Sequence, residues 1–365
     1  MINGQAVSVH ELYMRRCLQL ATLGNGSVAP NPMVGAVLVH NNRIIGEGYH
    51  QKYGEAHAEV NCIGSVKDQD RQYISQSVLY VSLEPCAHHG KTAPCADLII
   101  THNIPAVVIG CRDPFKEVNG KGIEKLKAAG VEIVLGILEN ECIEINKRFF
   151  TFHTRHRPYI ILKWAQTADL KMTSLNPLDE RISGNTKNQR LFISNEYSNR
   201  LVHKWRSEEA GILIGTNTAV SDDPELTNRL WNGPSPVRLI IDMDLRLPSS
   251  LKIFNRQVRT IVFNKIKHEE SGNLLYYQVT EDVNIVHQVV HALYHLKIQS
   301  VLVEGGAMLL QSFIDEQLWD EARVITNTKL SAGNGLRAPK VIHAIESASW
   351  FLQDDRVEIF TRSIL

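Results

Sequence analysis

The sequence predicts two successive α/β domains, and three observations carry that prediction. Helical and strand patterns alternate through the first ~150 residues, which implies a mostly parallel sheet with helices on both faces. The alternation is interrupted at "FTFHTRHRP", a basic, polar stretch ending at Pro158. It then restarts with "YIILKW" in a chain of 365 residues, a length comfortable for two cores. The expected domains are residues 1–150 and 151–365.

In chain order, a helix is expected over 9–24, with Leu12, Cys17, Leu20 and Leu23 on roughly one face. "MVGAVLV" and "RIIGEGY" flank His40-Asn41-Asn42 and read as a β-hairpin. A helix begins near His57, a strand follows at "SVLYVSL", and another helix comes after Cys86. "AVVIG", "GIEKLKAAG", "VEIVLG" and a helix from about 139 complete the first half. His153 and His156 read as solvated linker histidines. The second half supplies strands at "GILIG", "PVRLIID", "VRTIVF" and "SVLVEGG", while 264–282 reads as a loop-rich excursion.

Lys+Arg and Asp+Glu are both 39, so the overall balance points away from nucleic acid and anionic membranes. No segment approaches the ~20 apolar residues of a membrane span. The N-terminus lacks the pattern of a signal peptide, and the expected location is the cytoplasm. Six cysteines in such a chain are not expected to form a disulfide framework. Cys17, Cys62, Cys111 and Cys142, set among apolar residues, read as buried thiols.

"GEAHAEV" and "LEPCAHHGKTAPC" carry the chemistry of the first half. One imidazole, His57, and two thiolates, Cys86 and Cys95, match the three protein ligands common at catalytic zinc, with a fourth position for water. His57-Ala58-Glu59 followed by Pro85-Cys86 fits the His-x-Glu and Pro-Cys elements of zinc nucleobase deaminases, in which the glutamate moves protons and does not ligate. Residues two apart point away from each other on a helix, so His57 must sit at or before the first turn. Cys86 is expected near a helix N-terminus, which favours a thiolate. The cysteine spacing is longer than the usual Cys-x-x-Cys, and by itself leaves the zinc reading open.

The loop between the cysteines extends the pattern. With Asn31-Pro32-Met33-Val34-Gly35, Gly46-Glu47-Gly48-Tyr49-His50, His57-Ala58-Glu59 and the run from Glu84 to Cys95, the chain resembles the bifunctional riboflavin-biosynthesis deaminase/reductase family over nearly its whole length. That resemblance implies a cytidine-deaminase-like α/β/α sandwich followed by a dihydrofolate-reductase-like α/β domain. It implies zinc on His57, Cys86 and Cys95, Glu59 as proton shuttle, and Asn31, His50 and Lys91 at the pyrimidine substrate. Taken singly, Asn31 is equally a turn residue, His50 a hydrogen-bonded structural histidine, and Lys91 a solvated cation. His88 and His89 are read as steric neighbours of the site.

"SVLVEGGAMLLQSFI" reads as a strand, a Gly305-Gly306 turn and a helix whose free N–H groups suit phosphate. It is not the Gly-x-Gly-x-x-Gly fingerprint of a dinucleotide-binding βαβ unit. Glu304 beside the turn binds a ribose hydroxyl or caps the turn. The resemblance implies NADPH as the second cofactor, with Ala165, Thr218, Asp222, Gly305 and Gly306 around it. It implies Arg206 at the substrate phosphate, with Leu226, Arg229 and Glu304 also at the substrate. Two departures from the family stand out. Asp169-Leu170 replaces the usual Asp-Gly, and Leu191-Phe192 stands where a tryptophan commonly meets the cofactor.

The function expected is thus deamination of a small phosphoribosylaminopyrimidine followed by reduction of its ribosyl chain, in a homo-oligomer. A tRNA or nucleobase deaminase with an accessory domain is the alternative, and would need a stronger basic groove. A structural zinc module would need a fourth protein ligand in place of the free Glu59.

Overall fold

The computed structural model describes residues 8–87, 93–115, 118–173 and 191–363. Two compact units emerge, Met1–His156 and Arg157–Leu365.

In the first unit, Ser8 caps helix α1 (Val9–Thr22) by accepting the Glu11 N–H. Its buried face is Tyr13, Met14, Cys17, Leu20 and Ala21, while Leu12 and Leu23 are exposed. The sequence-based face is thereby corrected: helical steps of 3 and 4 from Tyr13 and Met14 define the stripe, and Leu12 lies to one side. Strands β1 (Gly35–His40) and β2 (Arg43–Tyr49) pair antiparallel. Asn41 and Asn42 both have positive φ, as a tight hairpin turn demands.

Helix α2 (Ala58–Gly64), a 3₁₀ stretch, β3 (Val78–Leu83), α3 (Cys95–Thr101), β4 (Ala106–Cys111), α4 (Lys121–Ala128), β5 (Glu132–Leu135), α5 (Glu139–Ile145) and α6 (Lys147–Arg155) follow. The sheet order is β2-β1-β3-β4-β5, with β3, β4 and β5 parallel. Alternate residues of β1 face opposite layers. Ala36 and Leu38 pack with Cys62, Ile99 and Leu126, whereas Val37 and Val39 pack with Met14, Cys17 and Cys142. The four cysteines expected as buried thiols are fully buried.

The stretch expected to be a linker is largely α6. Phe149 and Phe152, three apart, are buried, and His153 lies among rings, 4.4 Å from Phe149 and 5.0 Å from Phe115 between centroids. The linker reading of His153 is therefore wrong, because helical spacing turns this polar-looking segment into one apolar face. His156, exposed and with φ +52°, ends the helix.

The second unit comprises β6 (Tyr159–Thr167), α7 (Glu196–Glu208), β7 (Gly211–Gly215), α8 (Thr216–Asp222), β8 (Val237–Ile241), β9 (Thr260–Asn264), β10 (Glu269–Ser271), β11 (Leu274–Gln278), α9 (Ile285–His295), β12 (Ser300–Val303), α10 (Ala307–Asp315), β13 (Glu321–Asn327), β14 (Ala344–Leu352) and β15 (Asp355–Arg362). They form one sheet, β10-β11-β9-β8-β7-β12-β6-β13-β15-β14, parallel from β11 to β13. The supposed excursion at 264–282 is instead the β10–β11 edge of this sheet. Leu274 and Leu275 are buried there side by side, without the period-2 alternation that marks a half-buried strand. Ile160, Leu162 and Trp164 of β6 pack under α9 and α10, while Tyr159 and Ile161 pack under α7.

The Asp169-Leu170 departure has a definite outcome. Leu170 keeps the left-handed conformation, φ +61°, with its side chain exposed. The turn survives because the Asp169 carboxylate accepts hydrogen bonds from the Thr167 hydroxyl (2.5 Å), Ala332 N–H (3.0 Å) and Gly333 N–H (2.8 Å). A left-handed leucine is strained, and this side chain is more than half exposed, so trimming it removes little packing. Leu170→Gly should stabilise the chain by about 0.5–1 kcal/mol after the glycine's extra unfolded-state entropy is subtracted, measured by chemical denaturation.

Candidate active site

Two glycines bring α2 onto β2. A Cβ on Gly48 would lie 2.2 Å from the Cys62 nitrogen, and one on Gly46 would lie 2.5 Å from the Cys62 oxygen. His57 is the N-cap of that helix, with extended backbone (φ −74°, ψ 166°), and Glu59 stands in its first turn, 3% exposed. The two residues meet because His57 has left the helical path.

Cys86 follows β3, and Cys95 opens α3. The Cys95 N–H donates to Cys86 Sγ (3.3 Å) and the Ala96 N–H to the Cys86 carbonyl (3.1 Å), so the long loop returns the first sulfur to the helix N-terminus. His57 Nδ1 lies 3.3 Å from Cys95 Sγ and 3.7 Å from Cys86 Sγ, and all three donor atoms fall within 4.8 Å. Tetrahedral zinc with Zn–N of ~2.0–2.1 Å and Zn–S of ~2.3 Å requires nitrogen and sulfur about 3.6 Å apart, so the donor set fits the ion in type and its two nitrogen–sulfur separations bracket that value.

A hydrogen bond from the Cys95 thiol, with help from His57 and the Cys95 N–H, pulls the Cys86 thiol down to about 4. The same pairing and burial push Cys95 up. Burial, reinforced by the Cys86 charge, raises Glu59 above the ordinary carboxylate range. That direction suits a group that takes and returns a proton near neutral pH.

His50, almost fully buried, is joined to Asn31. Its Nδ1 donates to the Ala56 carbonyl (3.0 Å), leaving Nε2 to accept from the Asn31 amide (3.1 Å). Burial lowers its pKa, favouring the neutral ring. The ring stands edge-on to His57 at 5.4 Å, so Asn31 and His50 adjoin the candidate metal-binding group. Lys91, like His88 and His89, lies outside the described residues.

Glu84 is a structural residue beside the candidate site that sequence reasoning treated only as part of a motif. Its buried carboxylate accepts the N–H groups of Asp113 (3.3 Å), Gly120 (3.0 Å), Gly122 (3.0 Å) and Ile123 (3.3 Å). It thereby holds the start of α4 against the end of β3, directly before Cys86. A Cβ on Gly122 would come within 1.9 Å of the Pro85 carbonyl oxygen. Burial, with Glu84 and Cys86 nearby, pushes neighbouring Asp113 up to about 7 against the Phe115 N–H that stabilises its charge. In the sequence Glu84 stands out only as the first residue of the Glu84–Cys95 run, an acid ending an apolar strand.

In the second unit, β7 and β12 end close together beside β6, which runs on to Thr167. Val303 of β12 pairs with Leu162 of β6 and with Leu213 of β7. Ala165, Glu304 and the α8 segment bearing Thr218 thus gather at one carboxyl edge, where open α/β sheets bind ligands. Among the described residues no side chain caps α10 after Gly305-Gly306, and a Cβ on Gly306 would press within 3.3 Å of Thr218 Oγ1. The arrangement fits a phosphate-bearing cofactor approaching bare backbone. Asp222 ends α8 and is exposed, as is Phe192.

Arg206 does not present a free guanidinium for phosphate. It makes a two-pronged ion pair with Glu304 (Nε–Oε1 3.0 Å, Nη2–Oε2 2.7 Å) and reaches the Thr227 carbonyl (3.4 Å). Burial would raise Glu304, but Arg206 and then Lys163, 3.9 Å away, outweigh it and hold the carboxyl at about 2. The side chain of Leu226 is likewise not available to substrate. It is buried in a cluster with Ile212, Ile240 and Ile253, leaving only backbone for a contact. Arg229 pairs with Glu225 (2.9 Å) at the surface, and its N–H donates to His203 Nδ1 (2.9 Å). Burial, then Arg206 and Arg229, lower His203 to about 4, consistent with a neutral acceptor nitrogen.

Removing the Glu84 carboxylate would strand buried N–H donors, each worth about 1–3 kcal/mol. Glu84→Ala should therefore lower stability by at least about 3 kcal/mol and reduce bound zinc, read by denaturation and elemental analysis. Glu84→Gln, which keeps one acceptor oxygen, should fall between that variant and the parent.

Residues 7–111 match the family model of the cytidine and deoxycytidylate deaminase zinc-binding region, and residues 158–339 match that of the RibD C-terminal domain. The chain is 39% identical to the riboflavin biosynthesis protein RibD of Aquifex aeolicus, covering 89% of this chain and 88% of that protein. It is 34% identical to the Actinobacillus pleuropneumoniae RibD, covering 90% and 86%. The crystal structure of a diaminohydroxyphosphoribosylaminopyrimidine deaminase/5-amino-6-(5-phosphoribosylamino)uracil reductase from Thermotoga maritima superposes with a TM-score of 0.84 at 33% identity, covering 97% and 99%. With a zinc-binding deaminase half and a reductase half both matched across these lengths, the chain belongs to the RibD family of bifunctional deaminase/reductases of riboflavin biosynthesis.

Proposed function

We propose that residues 1–150 form a zinc-dependent pyrimidine deaminase and residues 151–365 an NADPH-dependent reductase. The two reactions are those named for the Thermotoga maritima relative. The first is hydrolytic deamination of 2,5-diamino-6-(5-phosphoribosylamino)pyrimidin-4(3H)-one; the second is reduction of the ribosyl chain to give 5-amino-6-(5-phosphoribitylamino)uracil. The observation that carries the reading is the convergence of His57, Cys86 and Cys95 beside a buried carboxylate that is not one of the three donors.

Zinc, when bound, lowers the pKa of its water from 15.7 to about 7 and so supplies a nucleophile at neutral pH. The Glu59 carboxylate would hold the proton released on attack and return it to the departing amine, a task its burial suits. Asn31 and His50 orient the ring: the His50 tautomer is fixed by Ala56, and Asn31 is held by His50. Lys91 is assigned to the same substrate. In the second half, NADPH supplies hydride. Gly305, Gly306, Thr218, Asp222 and Ala165 hold and orient it, while Glu304, Arg206, Arg229 and the Leu226 backbone shape the substrate side. Reduced thiolates at the first site suit the cytoplasm. A small-molecule substrate and a homo-oligomer complete the reading.

Glu59→Gln should retain zinc while ammonia release from the diamino substrate falls about 10²–10⁴-fold. Undiminished turnover in that variant would sink the shuttle role. For the reductase, Arg206→Ala leaves the Glu304 carboxylate buried without its partner and should destabilise by about 3–5 kcal/mol in denaturant titration. Arg206→Ala/Glu304→Gln should recover much of that loss. NADPH oxidation by the double variant then tests substrate binding: an unchanged KM for the deaminated product would remove Arg206 and Glu304 from the substrate site.

A further inference from the structure

We infer that α9 carries a second metal site, a two-imidazole chelate for a late divalent transition ion built from His291 and His295. The two residues are one helical turn apart and exposed. Their Nε2 atoms face each other at 3.0 Å, with ring centroids 4.3 Å apart and planes at 66°. Two ligands at right angles on an ion with metal–nitrogen bonds of ~2.0–2.1 Å are about 2.9 Å apart. The pair therefore already stands at the separation of two adjacent coordination positions. The helix backbone holds both residues, so chelation orders little more than two side chains.

Among the described residues the site has two protein ligands. His287, one turn earlier, is engaged by Glu316 (Nε2–Oε2 2.8 Å). Water fills the remaining positions, and ions that favour imidazole and tolerate right-angled geometry are the class that fits. Affinity rises from Ni²⁺ to Cu²⁺ and falls again at Zn²⁺. The donors differ in kind from the one nitrogen and two sulfurs of the first unit, and the inference does not rest on the function assigned there. The competing account is a plain hydrogen bond, one neutral ring donating its N–H to the other.

The test uses the full chain loaded with zinc and titrated with NiCl₂ by calorimetry, since Ni²⁺ does not oxidise thiolates as Cu²⁺ does. The expected result is one equivalent of Ni²⁺ bound without zinc release. His291→Gln and His295→Gln should each weaken it about tenfold or more, because the second imidazole of an intramolecular chelate is lost. His287→Gln should leave it unchanged. Equal Ni²⁺ affinity in the parent and in both pair variants would overturn the assignment, and so would nickel uptake matched by zinc release.

Discussion

The first site depends on a carboxylate that is not expected to touch substrate. Glu84, buried at the end of β3, accepts four backbone N–H groups from the 113–123 segment and fixes where the chain turns toward Cys86. Low dielectric makes such a cluster strong when complete and unfavourable when any member is missing. The Cys95 N–H then draws the Cys86 sulfur to the start of α3, and the two-glycine contact of β2 sets α2, with His57 and Glu59, on the opposite side. Ligand geometry is thus imposed by backbone packing and backbone hydrogen bonds, which leaves the loop between the cysteines free to differ in length from a Cys-x-x-Cys turn.

Much of this was legible in the sequence, and the reasons are specific. Strands such as "SVLYVSL" and "GILIG" are apolar runs bounded by turn residues, and both form where expected. His57, Cys86 and Cys95 were identifiable as a candidate ligand set because metal ligation restricts residue type, and Glu59 by its place in the His-x-Glu element. What stayed hidden depended on partners far along the chain. The face of α1 is set by which side of β1 and β3 it covers, and α6 is betrayed only by Phe149 and Phe152. The β14–β15 hairpin has one exposed strand, so neither burial nor alternation marked it. Glu84 opened a motif, but its role in holding backbone N–H groups was hidden until its four donors were in place.

The reductase residues illustrate a different limit. Motif matching brought Arg206 and Glu304 to notice separately, as phosphate and ribose contacts, while the fold joins them into one buried ion pair. Two opposite charges sharing a desolvated site are read correctly only together, since each sets the charge state of the other. Leu226 shows the same limit for an apolar residue: its motif position is at the ligand edge, yet its side chain belongs to the core.

The strand order of the second unit has a consequence for biosynthesis. β6 is the first strand of that sheet to leave the ribosome, yet both of its neighbours, β12 and β13, lie beyond residue 299. The first unit closes its sheet from strands within its own stretch, and translation delivers it complete. The central strand of the second must wait, apolar on both faces, while most of the remaining chain is made. Such long-range pairing slows folding and prolongs exposure of a sticky segment. A nascent chain paused before β12 is therefore the form of this protein most in need of a chaperone.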